Sequence, residues 1–231
     1  MKIYILFIFL GTNFSSQNKI NIEQQCKSLH DSVFKDFFGD KFYKKNIKYN
    51  KKESYIDLHL TNNIENDDNY KIIFLNLNNE NDIKMYRKEY PKFYSSDFYV
   101  YNFFYRDMVF YHKVFTCELV KNKDLIDLIN KQIINYYNKI NTKKYLSPKK
   151  ALKIAKINGL KNICYQSLTS ASSYNIDQDI WQIQDCSNEK KAKVIELNPK
   201  TGKILNIYER NYGKGEKAAY WNFFKSNDKK E

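Results

Sequence analysis

The spacing of hydrophobic and polar positions changes several times along this chain, and each change predicts an element. In "IEQQCKSLHDSVFKDFF", residues 22–38, Ile22, Cys26, Leu29, Val33 and Phe37 fall on one helical stripe, and Gly39 follows as a stop. "NIKYNKKESYIDLHL", residues 46–60, sets a polar turn "NKKE" between two strand-like runs and predicts a hairpin. "IENDDN" reads as a loop, "YKIIFLNLN" as a strand, and "YPKFYSSD", with its proline and serine pair, as irregular chain. The aromatic run 98–120 predicts two strands that turn at Arg106-Asp107. From Lys123 to Ile140, Leu125, Ile129, Ile133 and Tyr137 recur at four-residue steps, widened by Ile126 and Ile134. Residues 20–142 therefore read as helix, antiparallel strands, helix.

A boundary falls near "NTKKYLS", and the pattern after it is more regular. Ser147 is an N-cap whose hydroxyl can take a free helix amide. Pro148 stands at N1, where its missing N–H is harmless, and Gly159 suits the left-handed residue that ends a helix. Ala151, Leu152, Ile154 and Ala155 give an apolar face. A helix this short is marginal alone, so it is expected to dock on a sheet. "ICYQSL", "DIWQIQD", "KAKVIEL" and "KILNIYE" supply the strands, the last two joined by the turn "NPKTG". The expected fold class is α+β: antiparallel sheets with packed helices, ending in a helix followed by three or four antiparallel strands.

"LSPKKALKIAKINGL", the Trp-centred strand "IWQI" and "VIELNPKTGKIL" resemble the PepSY-like family of small exported bacterial domains, over roughly residues 145–210. The resemblance implies a helix-plus-sheet module of the cell envelope with an inhibitory or assembly role, and it implies no catalytic residues. Residues 20–142 resemble no family, and residues 211–231 form a C-terminal tail. In that tail "AAYWNFF" reads as a short element sealing the sheet, or as an exposed docking element.

The opening "MKIYILFIFLGTNFSSQ" has a lysine, an unbroken apolar run from Ile3 to Leu10 and a small polar stretch. The run is shorter than the roughly 20 residues a membrane span needs. It reads as a signal peptide over residues 1–17, with a buried N-terminal strand as the alternative. No later segment is long and apolar enough to span a bilayer, so a mature protein outside the cytoplasm, periplasmic or extracellular, is expected.

That compartment changes how the four cysteines are read. Cys164 and Cys186 lie symmetrically about Asn175, in the turn-rich "SASSYNIDQD". Paired strands on either side would bring them face to face, near bridging distance; two buried free thiols are the alternative. Cys26 with Cys117 follows by elimination.

The net charge of +13 is open to two readings. One is a polyanion binder. The other is A/T-rich coding, since Lys, Asn, Ile and Tyr all abound and the lysines are scattered. The second reading is adopted, and no nucleic-acid partner is expected.

Candidate chemistry is sparse. His30, His59 and His112 fall on a helix and two different strands and form no metal motif. No GxSxG elbow occurs, and with 6 Gly in the chain phosphate-cradling loops are not expected. The acidic "ENDD" at 65–68 lacks the glycine of a calcium loop. No catalytic residue, cofactor or metal is therefore expected. Alternation along β structure puts Tyr99, Tyr101 and Phe103 on one face of their strand. Core packing is the expected use of at least half of the aromatics in this run, and the Tyr99, Tyr101 and Phe103 face is the candidate contact surface for a protein or peptide partner in the envelope. The expected function is exported, non-catalytic binding or regulation; the alternatives are a secreted hydrolase of another type and an electrostatic binder of anionic envelope surfaces.

Overall fold

A computed structural model describes residues 14–60, 71–76, 81, 82, 85, 93–170, 178–188 and 190–211. The apolar opening run, "IENDDN" and the C-terminal "AAYWNFF" lie outside the described residues. The chain is α+β with two antiparallel sheets. Its elements are α1 Phe14–Phe38, α2 Asp40–Asn46, β1 Ile47–Tyr49, β2 Tyr55–Leu60, β3 Lys71–Asn76, β4 Phe93–Tyr105, β5 Met108–Phe115, α3 Cys117–Lys121 and α4 Lys123–Asn141. Then follow α5 Pro148–Ile157, β6 Ile163–Thr169, β7 Ile180–Asp185, β8 Lys191–Leu197 and β9 Ile204–Asn211. Among the described residues no helix is long and apolar enough to cross a membrane.

Gly39 stops α1 as expected: its φ is 79°, and its N–H donates to the Lys35 carbonyl at 2.8 Å. The buried seam of α1 is Cys26, His30 and Phe34, while Leu29 and Val33 are half-buried. The helix thus turns a strip centred on His30 to the sheet. The stripe expected from the sequence shares Cys26 with that strip and omits His30 and Phe34.

The long strand β4 organises the first sheet. It pairs antiparallel with β5 through a two-residue turn at Arg106 and Asp107, whose φ values of 47° and 66° are those of a type I′ hairpin. The expected hairpin between β1 and β2 does not form. Both strands instead lie antiparallel to β4, β1 against Tyr101–Phe103 and β2 against Phe93–Phe98, and β3 pairs with β2. The segment 50–54 is a loop closed on one β4 residue. Asn50 N–H donates to the Val100 carbonyl (2.8 Å), and the Ser54 hydroxyl accepts from Val100 N–H (2.9 Å). β4 also takes in "FYSSD", read as irregular from the sequence; pairing with β2 overrides its weak local preference.

The aromatic face is corrected as well. Tyr99, Tyr101 and Phe103 are fully buried, not a partner surface. Phe34 sits with its ring centroid 5.0 Å from Tyr101 and 5.2 Å from Phe115, and His30 lies 5.0 Å from Tyr99. Alternation put these residues on one face, but only the packing of α1 decides that this face is the core. On α4, Ile126, Ile129, Ile133, Tyr136 and Ile140 are buried, and Leu125 at the first turn is exposed.

The second half forms as its pattern requires. The Ser147 hydroxyl accepts from Lys150 N–H, Pro148 opens α5, Gly159 has φ 90°, and Ala151 and Ala155 are fully buried. The four strands run β6-β7-β8-β9, each antiparallel to its neighbour. In "NPKTG" the Asn198 side-chain oxygen accepts from Lys200 and Thr201 N–H, and Gly202 has φ 76°. Trp181, Ile183, Ile195 and Leu197 belong to the same buried cluster as Tyr101, Phe103 and Tyr136, so one core runs through both halves.

Both cysteine pairs are bonded, Cys26 to Cys117 and Cys164 to Cys186, with Cα–Cα distances of 5.6 and 5.7 Å. The β6–β7 register is not the symmetric one. Tyr165 opposes Gln184 and Ile163 opposes Asp185, which leaves Cys164 in a bulge. Cys186 lies just past β7, its N–H donating to the Asn162 carbonyl at 3.0 Å. The bulge turns an off-register cysteine toward its partner.

Candidate functional site

The two sheets meet where β5 approaches β6, and side chains make the join. Gln166 Nε2 donates to the Val109 carbonyl (2.9 Å), and the Ser167 hydroxyl accepts from His112 N–H (3.2 Å). Beside this join opens a pocket of about 440 Å³, within the roughly 300–1,000 Å³ of small-ligand sites. One wall comes from the first half, with Asn50, Glu53, Asn102, Met108, Val109 and His112; the other comes from α5 and the bulged start of β6.

The loop 50–54 places Glu53. Its residues fold back on Asn50: Glu53 N–H donates to Asn50 Oδ1 (3.3 Å), and the Ser54 hydroxyl donates to the Asn50 carbonyl (2.8 Å). Glu53 Oε2 then lies 3.6 Å from His112 Nδ1, with both side chains largely buried. The same nitrogen is 2.9 Å from Asn102 Oδ1, and the Tyr165 ring stands edge-on to the imidazole at 5.4 Å. Burial lowers the His112 pKa to about 4. Burial also raises that of Glu53, against a hydrogen bond from Asn50 that lowers it. Both shifts disfavour charge, so the contact is better described as a pair that resists ionising than as an ion pair. With acceptor oxygens facing Nδ1, the neutral ring carries its proton there and keeps the lone pair on Nε2.

Among the described residues the pocket holds no serine, threonine or free thiol; Cys164, on its wall, is in the disulfide. Lys156 and Lys161 stand at the opposite wall. Asp185 fixes the chain at Lys161: its carboxylate accepts from the N–H groups of Lys161 and Asn162 and from both the N–H and the hydroxyl of Ser187. Burial opposes its ionisation, but these bonds outweigh burial and hold its pKa below the ordinary carboxylate range.

A second polar cluster joins α4 to the start of β7. The Asp179 carboxylate accepts from Lys139 Nζ (2.9 Å), Tyr136 (3.1 Å) and Tyr145. Its pKa is likewise lowered, because the Tyr145 and Lys139 bonds overcome burial. With its donors all drawn from the chain, it reads as a structural clasp.

The three histidines lie on three different elements. His30 lies in the core, its Nε2 3.4 Å from the Thr116 carbonyl. His59 sits in β2 between Ile72 of β3 and Tyr94 of β4. His112 borders the junction pocket. From the sequence Glu53 belongs to the polar hairpin turn "NKKE". Its sole distinguishing mark is that it is the one acid in "YNKKESY".

The fold and this junction pocket define an α+β protein with a shared two-sheet core. Comparison with known proteins finds no matching family model, no matching curated protein and no matching solved structure.

Proposed function

We propose that this chain is an exported, non-catalytic binding protein of the cell envelope, in which a PepSY-like module and the N-terminal α+β region jointly hold a protein or peptide segment. The observation that carries this reading is the pocket, whose walls come from both halves and offer hydrogen-bonding and apolar groups but, among the described residues, no serine, threonine or free thiol. The signal-like opening and the two disulfides support an oxidising compartment. The test is a crosslinked pull-down of the full-length protein from its native envelope, comparing wild type with Met108→Arg, which fills the pocket from its rim. The reading expects a partner that the wild type captures and the variant does not. Equal capture by both, or no capture, overturns it.

The Glu53–His112 contact favours a second reading, a hydrolase that activates water rather than a side-chain nucleophile. Turnover on a panel of peptides and glycans, abolished by His112→Asn in a folded variant, would replace the first reading with this one.

A further inference from the structure

We infer that the junction pocket takes the free carboxylate end of a peptide, an inference that rests on the binding reading above. The pocket lining combines charged, hydrogen-bonding and apolar groups. From α5 and the start of the second sheet come Lys156 and Lys161, with no acidic partner within ion-pair distance among the described residues. From the first half the Glu53–His112 pair offers hydrogen bonding while resisting charge. Met108, Leu152 and Ile163 supply apolar wall.

Two ammonium groups call for an anion. Lys156 lies in the last turn of α5, where the Ile154, Ala155 and Lys156 carbonyls already accept from the N–H groups of Asn158, Leu160 and Gly159, so the two lysine side chains supply the charge on this side of the pocket. The body of the ligand is read from the walls. Gln166 spends its amide nitrogen on Val109 and leaves Oε1 as an acceptor, and Asn102 spends Oδ1 on His112 and leaves Nδ2 as a donor. An acceptor and a donor together are what a peptide group requires, and an acyl chain uses neither. A chain end fits a compact pocket better than a through-running strand does.

The probe is a pool of N-acetylated tripeptides randomised at all three positions, equilibrated by dialysis against the full, oxidised protein. A matching pool carries C-terminal amides, and octanoate serves as the acyl carboxylate. The inference expects the acid pool to be retained at least about ten-fold over the amide pool, equivalent to about 1.4 kcal/mol. Lys156→Gln with Lys161→Gln, both at exposed positions, should bring that ratio close to one. Equal retention of acids and amides by wild type overturns the inference. So does a preference that survives in the double variant, or displacement of the acid pool by equimolar octanoate, which would assign the pocket to acyl chains. If neither pool is retained while the wild type still captures a partner that Met108→Arg loses, the inference fails and the binding reading stands. If no such partner exists, the binding reading is the one that fails.

Discussion

The two halves of this molecule build antiparallel sheets by opposite means. In the C-terminal sheet each strand pairs with its neighbour in sequence, so every ladder closes a short loop. In the N-terminal sheet one strand, β4, collects partners from far upstream, Ile47 against Phe103 and Tyr55 against Phe98. Loop closure is entropically harder for the second arrangement, and such sheets fold more slowly. The covalent links match this difference. Cys26–Cys117 spans 91 residues around the first sheet, and Cys164–Cys186 spans 22 within the first hairpin of the second. A sheet of local ladders needs only a small clamp, whereas a sheet of distant ones is enclosed.

The sharpest way to break this comparison is to remove the links one at a time. By chain entropy the longer loop contributes about 4.6 kcal/mol and the shorter about 3.4. Cys26→Ser with Cys117→Ser should therefore lower the urea-unfolding free energy more than Cys164→Ser with Cys186→Ser. The reverse order would show that the first sheet holds itself.

Acid tests the N-terminal half through its two buried imidazoles. Burial lowers His30 to about 4, against a hydrogen bond to the Thr116 carbonyl that raises it, and lowers His112 to about 4 as well. The unfolded chain takes up these protons near pH 6.5, before the folded one does. Stability is thus complete above pH 6.5 and falls as the pH drops to about 4, by up to about 3 kcal/mol for each ring. Glu53 has the opposite sign: its raised pKa makes its contribution largest in acid and lost as the pH rises. Glu53→Gln should raise the urea midpoint at pH 7 and flatten the profile there, and no rise would remove the case for a strained site.

Two glycines give the smallest contrast. Gly202 and Gly39 both have positive φ, but an added Cβ at Gly202 meets Ile154 Cδ1 at 2.7 Å and Leu146 Cδ1 at 3.0 Å, while at Gly39 it meets nothing within 4 Å. Gly39→Ala should cost about 1 kcal/mol of backbone strain, and Gly202→Ala about 2, since the two methyl groups can shift. Thermal unfolding of the two variants reads the difference.

The same contrast explains what was legible in the sequence. The α5 cap, the "NPKTG" turn, the Arg106-Asp107 turn and the four-strand order are local, and their residues state them directly. The partners of β1 and β2 are not local. "NKKE" has the composition of a reversing turn, but Asn50 and Ser54 bind one β4 residue and send the chain onward instead of back. Burial of Tyr99, Tyr101 and Phe103 depends on α1, more than 60 positions away. The junction pocket was the least legible feature, because Glu53 and His112 meet only after both of those long-range choices are made. Cys164–Cys186 was read correctly as a pair but in the wrong register, since a bulge leaves no mark in an alternating pattern.

Each sulfur bridge begins and ends within its own half, which fixes how the molecule comes apart when nicked. A single protease cut anywhere between residues 27 and 116 leaves both fragments tethered and runs at full mass on a gel until a thiol is added. One cut in the connector between Asn141 and Ser147 leaves no tether at all, and denaturant alone parts the pieces.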